Sequence, residues 1–86
     1  MSEGQKTRTM VDIYGQQYVI IGTEDSRHIK LIASMVDEKM REISSKNPSL
    51  DMSKLAVLTA VNAVNDYMKM KEQLERLEGE LKRVKD

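Results

Sequence analysis

Cysteine, tryptophan and phenylalanine are absent from this 86-residue chain, which contains one proline, one histidine and four glycines. Without cysteine, the chain has no disulfide, no thiol nucleophile and no cysteine-ligated metal, which fits a cytoplasmic protein. The single histidine, His28, has no serine or aspartate at a spacing that suggests a catalytic triad, and the scattered glycines form no phosphate-binding loop. We therefore expect a non-enzymatic protein with no cofactor and no metal site.

The charge balance and the length of the chain further limit the class of protein that this sequence can encode. The 14 basic and 14 acidic residues balance, so no net charge attracts the whole molecule to nucleic acid or to a membrane. No apolar stretch approaches the length of a membrane span, and the polar residues 1–8 lack the core of a signal peptide and are expected to be disordered. A chain of this length forms one small domain plus an extension, with a core that is marginal for a monomer.

The last third of the chain carries a heptad seam. Apolar residues alternate there at spacings of three and four, with charged and polar residues between them: Tyr67, Met70, Leu74, Leu77, Leu81 and Val84. This pattern predicts a coiled coil with a second copy of the chain. Extending the pattern backwards adds Ala56, Ala60 and Ala63, small residues along which two copies are expected to cross closely. The flanking charges, including Asp66 opposite Lys71 and Glu80 opposite Lys85, favour a parallel pair.

The remaining elements are predicted from alternation, periodicity and capping residues. Alternating side chains around Gly15 predict a hairpin with strands over residues 9–14 and 17–21. A first helix should begin after a Thr23 cap and end near residues 44–46, before the proline. A second helix should follow an Asp51 cap, with Leu50 and Leu55 as a hydrophobic staple, and continue without a break to residue 86.

These elements predict an α+β fold: an N-terminal β-hairpin, one short helix and one long C-terminal helix, in an intertwined homodimer. The head is expected over residues 9–66 and the coiled-coil tail over residues 67–86. Within the long helix, Val57, Val61 and Val64 form a bulky apolar face that we expect to pack under the first helix and the hairpin. The residues alone support a dimeric adaptor, and a small basic end at Lys82, Arg83 and Lys85 leaves open a coiled-coil dimer associated with nucleic acid.

Four segments carry a resemblance to a known family. They are residues 11–15 (VDIYG), 18–20 (YVI), 34–40 (SMVDEKM) and 50–62 (LDMSKLAVLTAVN). In this order they resemble the short form of the cell-division protein ZapA family. The resemblance implies a bacterial cytoplasmic protein at the mid-cell division ring, which binds the tubulin-like protein FtsZ and bundles its filaments. It also implies a homodimer, sometimes paired again into a tetramer, and neither nucleic acid nor a membrane as a partner.

The resemblance also places the FtsZ contacts among polar residues of the head, around the hairpin and the connection between the helices. In this sequence the matching candidates are Gln16, Gln17, Lys39, Arg41, Glu42, Lys46, Asp51 and Lys54.

Overall fold

The computed structural model describes residues 5–85, with side chains from residue 5 to residue 83. Two strands are followed by two helices: β1 (Thr7–Ile13), β2 (Gln16–Gly22), α1 (Ser26–Lys46) and α2 (Met52–Lys85). The strands form a two-stranded antiparallel sheet. The predicted α+β order of hairpin, short helix and long helix is confirmed. Among the described residues, neither helix contains a stretch apolar enough to cross a membrane.

The hairpin closes through a two-residue turn at Tyr14 and Gly15. Their φ angles of 50° and 82° are those of a type I′ turn, whose twist matches that of the paired strands. The ladder runs from Ile13 opposite Gln16 to Thr7 opposite Gly22. The strands are therefore longer than predicted.

The predicted disorder of residues 1–8 is wrong for Thr7 and Arg8, which begin β1. The Thr7 hydroxyl donates to the carbonyl oxygens of Gly22 (3.3 Å) and Glu24 (2.9 Å), which ties the start of the strand to the end of β2. Thr7 and Arg8 therefore belong to the sheet, while residues 1–4 lie outside the described part of the chain.

Helix α1 begins two residues later than a Thr23 cap would place it. Its N-cap is Asp25, whose Oδ1 accepts from the Arg27 amide at 2.8 Å. Asp25 serves better because its side chain satisfies an amide of the first turn that would otherwise lack a partner. The predicted end of the helix is confirmed at Lys46, where the Asn47 amide donates to the Ile43 carbonyl at 3.0 Å.

The core lies where α1, the start of α2 and the hairpin tip meet. Met40, Ile43 and Leu55 are its buried centre. Around it pack the partly buried side chains of Ile13, Tyr14, Val36, Leu50 and Leu58. Leu50 thus packs on the cluster that contains Leu55, as the predicted hydrophobic staple requires. The Asp51 cap is also confirmed, since its Oδ1 accepts from the Lys54 amide at 2.9 Å.

The predicted position of the valine face is wrong for the single chain. Val57, Val61 and Val64 are 57–64% exposed, and the buried positions of α2 are Leu55 and Thr59. Polar residues tolerate this burial because their side chains bond within the helix. The Thr59 hydroxyl donates to the Leu55 carbonyl (2.8 Å), and the partly buried Asn62 amide donates to the Leu58 carbonyl (3.1 Å).

Candidate partner-binding head and self-association surface

The hairpin tip is held on α1 by Tyr14. Its backbone amide donates to Asp37 Oδ1 at 2.7 Å, and its hydroxyl donates to Ser44 Oγ at 2.8 Å. The guanidinium of Arg41 lies 5.3 Å from the centre of the Tyr14 ring, within the range of a cation–π contact. The backbone and the side chain of Tyr14 therefore both fix the hairpin tip on α1.

Asp37 and Arg41 form the charged part of this latch. Arg41 Nε donates to Asp37 Oδ2 at 3.0 Å. This bond, and then the Tyr14 amide, lower the pKa of Asp37, and the same carboxylate raises the pKa of Arg41. Both groups are thus charged at neutral pH, and both Asp37 oxygens already accept a hydrogen bond.

The contact of Asp37 with Tyr14 was not predicted from the sequence. The spacing of four residues between Asp37 and Arg41 is a signal for their ion pair. Nothing local in the sequence indicates that the hairpin turn reaches the same carboxylate.

The predicted partner-binding residues fall into two groups, apart from Lys39. Gln16 and Gln17 follow the latched turn at the start of β2, Arg41 contacts the Tyr14 ring of that turn, and all three are exposed. Glu42, Lys46, Asp51 and Lys54 are exposed near the end of α1 and the start of α2. Asp51 also has a structural role as the cap of α2.

Lys39 has a different environment. Its Nζ donates to Asp66 Oδ2 at 2.9 Å, and both side chains are partly buried. Asp66 raises the pKa of Lys39, and Lys39 lowers the pKa of Asp66. This pair joins α1 to α2, and beyond Asp66 every side chain of α2 that the structure describes is exposed. It also competes with the expected pairing of Asp66 with Lys71 of a second copy.

The predicted self-association residues form an exposed row along α2. Ala56, Ala60 and Ala63 are exposed. The seam from Tyr67 to Leu81 is apolar, yet each of its residues is 56–68% exposed, while the side chain of Val84 lies outside the described part. Within the described chain no other element covers this row.

Two shallow apolar grooves lie near the start of α2. One, of about 400 Å³, is lined by Leu50, Val57, Leu58 and Val61, with Ser53 and Lys54. The other, of about 390 Å³, is lined by side chains of the hairpin and both helices: Ile13, Tyr18, Val19, Ile20, Met40, Met52 and Ala56. Ala56, a member of the row, also lines the second groove.

Signs of catalysis or metal binding are few. Within residues 5–85, no group of three His, Asp or Glu side chains converges as metal ligands. His28 is about half exposed, with its Nε2 4.0 Å from the Glu24 carboxylate. It is a surface residue of the first turn of α1.

Comparisons with known proteins agree over nearly the whole chain. The family model of the cell division protein ZapA matches residues 9–86. The chain is 66% identical over 86 residues to the cell division protein ZapA of Geobacillus sp. (strain WCH70), covering 100% of this chain and 99% of that protein. It is 58% identical over 82 residues to the protein of the same name from Bacillus subtilis (strain 168), covering 95% and 96%.

A solved structure is similar as well. It is described as a ZapA mutant dimer from Geobacillus stearothermophilus, and it matches with a TM-score of 0.72 and 54% identity over 95% of both chains. Since the family model, the relatives and the order of hairpin, short helix and long helix all agree, the chain belongs to the cell division protein ZapA family.

Proposed function

We propose that this protein is a non-enzymatic homodimeric adaptor that binds FtsZ filaments, cross-links them into bundles and promotes assembly of the division ring. It acts in the cytoplasm at mid-cell. Membership of a cell-division family supports the process. The resemblance to this family implies FtsZ filaments as the partner.

The exposed seam of α2 is the observation that carries the proposal. A row of Tyr, Met and Leu side chains more than half exposed along a solvent-facing helix is unfavourable unless a second helix covers it. The seam is as long as the tail itself, and its natural partner is the same seam of a second copy. The relative described as a dimer supports this pairing.

Cross-linking follows from the symmetry of such a pair. A two-fold dimer displays the same binding surface twice. Once one surface is bound to a filament, the second acts at a high effective concentration on a neighbouring filament. A weak contact repeated along two filaments is then sufficient for bundling. Pairing of two dimers into a tetramer would add two more surfaces.

The latched hairpin tip and the connection between the helices are the proposed filament contact. Arg41 is held in place by Asp37 and by the Tyr14 ring, so little side-chain freedom is lost when it binds. Lys46 lies five residues further along α1 and is exposed. Charges at the rim of an interface act mainly on the encounter rate and on its salt dependence.

The test is co-sedimentation with polymerised FtsZ. The combined Arg41→Ala and Lys46→Ala variant should pellet and bundle less than the parent, and the deficit should shrink at high salt, because salt screens the charges that the parent still carries. The matched control is Arg76→Ala with Lys82→Ala, which removes the same charge from the tail, away from the seam and its flanking pairs, and should bundle like the parent. Both variants should keep the parent's helicity and oligomeric state.

The reverse result would place the contact on the tail. If the tail variant fails to bundle while the head variant behaves like the parent, the head assignment is refuted. Salt-dependent retention of DNA with no filament pelleting would favour the nucleic-acid alternative.

A further inference from the structure

A polar groove runs between β1 and α1, apart from the apolar grooves near α2. It encloses about 500 Å³. Met10, Val11 and Asp12 line its strand side, and Lys30 and Arg41 stand on its helix side together with Ala33, Ser34 and Asp37. The helix residues at 30, 34, 37 and 41 follow the i, i+4, i+7, i+11 spacing of one helix face, so they form a continuous wall.

The strand side of this groove is an open sheet edge. In a hairpin with a two-residue turn, the residues flanking the turn exchange backbone hydrogen bonds, and pairs then alternate along the ladder. Ile13 and Val11 therefore bond to β2, whereas the amides and carbonyls of Met10 and Asp12 point away from it. In the described part of the chain, no other backbone group bonds to them. Such an edge is a template for another strand.

We propose that this groove binds an extended acidic peptide segment of a protein partner, which adds to β1 as a third strand beside α1. The inference goes beyond filament cross-linking, because it assigns a peptide site that any partner with such a segment could occupy. Strand addition to an exposed edge is an established mode of peptide recognition, in which main-chain hydrogen bonds give affinity and flanking side chains give specificity.

On the helix side of the groove, the charged groups with unused hydrogen-bonding capacity are the two cations, Lys30 and Arg41. Asp37 already accepts from the Tyr14 amide and from Arg41 Nε, whereas the two Nη groups of Arg41 have no hydrogen bond within the described residues. Lys30 is exposed and is in no ion pair there. Asp12 lines the strand side of the groove, but Val11 is buried on the α1 side of β1, so the carboxylate of Asp12, the next residue, projects from the opposite sheet face.

The spacing of these cations suits a short strand. Arg41 and Lys30 are eleven residues apart on α1, which corresponds to about 16 Å along the helix axis. An extended peptide covers that distance with about five residues. Carboxylates near its two ends would then meet one cation each.

A second copy is a poorer occupant of this groove. The row on α2 and its two neighbouring grooves are lined largely by apolar side chains and match the apolar centre expected of a stable self-association surface. The groove between β1 and α1 is instead rimmed by charged groups. It should stay open when two copies pair through α2.

The experiment is an NMR titration of the ¹⁵N-labelled full chain with a capped seven-residue peptide, VEVTVEV. The amide signals of Arg8, Met10 and Asp12 should move most and exchange more slowly with solvent once the peptide is bound. The control peptide VKVTVKV should bind at least about tenfold more weakly, because it brings lysines to Lys30 and Arg41.

Two proline variants separate the edges of the sheet. Met10 and Val19 face each other in the ladder, and both amides point outwards, so proline at either position removes an edge donor without removing a ladder bond. Met10→Pro should weaken VEVTVEV binding at least about tenfold, while Val19→Pro should leave it within about twofold. If Met10→Pro does not fold, Lys30→Glu should produce a comparable loss.

Three results would overturn the proposal. The first is the absence of binding up to millimolar peptide. The second is that the shifts occur on the outer edge of β2, at Gln17, Val19 and Ile21. The third is that the Met10 and Asp12 amides are already protected from exchange without peptide, since a second copy would then occupy the edge.

Discussion

Replacing Leu77 with alanine should weaken self-association about 30- to 150-fold while leaving the head folded. Leu77 is 57% exposed in the single chain, so more than half of its surface remains to be covered by a partner. Full burial of a leucine contributes about 1.5–3 kcal/mol, and covering the remaining surface therefore contributes about 1–1.5 kcal/mol. Both copies carry the change, so the dimer loses about 2–3 kcal/mol, and each 1.4 kcal/mol is a factor of ten in the dissociation constant.

Sedimentation equilibrium over a dilution series measures this change directly. Glu78→Ala is the matched control, because it lies on the same helix turn but outside the seam, and it should leave the dissociation constant within about threefold. Circular dichroism at a concentration where both proteins are associated should show equal helicity. An unchanged dissociation constant for Leu77→Ala, or a parent protein that is monomeric at micromolar concentration, would refute the assignment of the seam.

Three further predictions concern the head. A chain ending after Met70 should remain folded by circular dichroism and form a weaker dimer, because the core lies before that point; an unfolded product would contradict this division. Leu55→Ala should lower the free energy of unfolding by about 2–5 kcal/mol, since Leu55 is 2% exposed. Val57→Ala should lower it by less than half as much, and urea denaturation at one protein concentration compares the two variants. The pKa of Asp37 is lowered from 3.8, so the stability that the charged carboxylate contributes is present above that value and is lost as the pH falls through the folded pKa. The NMR signal of the Tyr14 amide should shift in this acidic range. An Asp37 carboxyl that titrates at or above 3.8 would contradict the latch.

The sequence was sufficient to predict the order and the type of the elements. Gly15 between alternating strands indicated the hairpin, and the proline at 48 followed by Asp51 indicated where one helix ends and the next begins. These signals are local, since they depend on the conformations of a few neighbouring residues. They were enough for the fold class and for the exposed seam.

The wrong or missing predictions concern features that depend on contacts between residues distant in the sequence. Helix α2 is apolar on more than one side near its start, and periodicity does not decide which side meets α1. The structure buries Thr59 and leaves Val57 exposed, and the threonine tolerates this burial because its hydroxyl donates to the Leu55 carbonyl within the helix. The hydrogen bond from the Tyr14 amide to Asp37 joins residues 23 positions apart, so no local sequence pattern predicts it.

The bridge between Lys39 and Asp66 has a mechanical consequence. It lies at the base of α2's solvent-exposed part, and residues 67–85 extend from it for about 28 Å at 1.5 Å per residue. This ion pair therefore lies at the point about which the rest of α2 would tilt relative to the head. A tilt of about 10° there would move the far end of the helix by about 5 Å, about one helical turn. A single partly buried ion pair thus helps to set the angle at which the tail leaves the head.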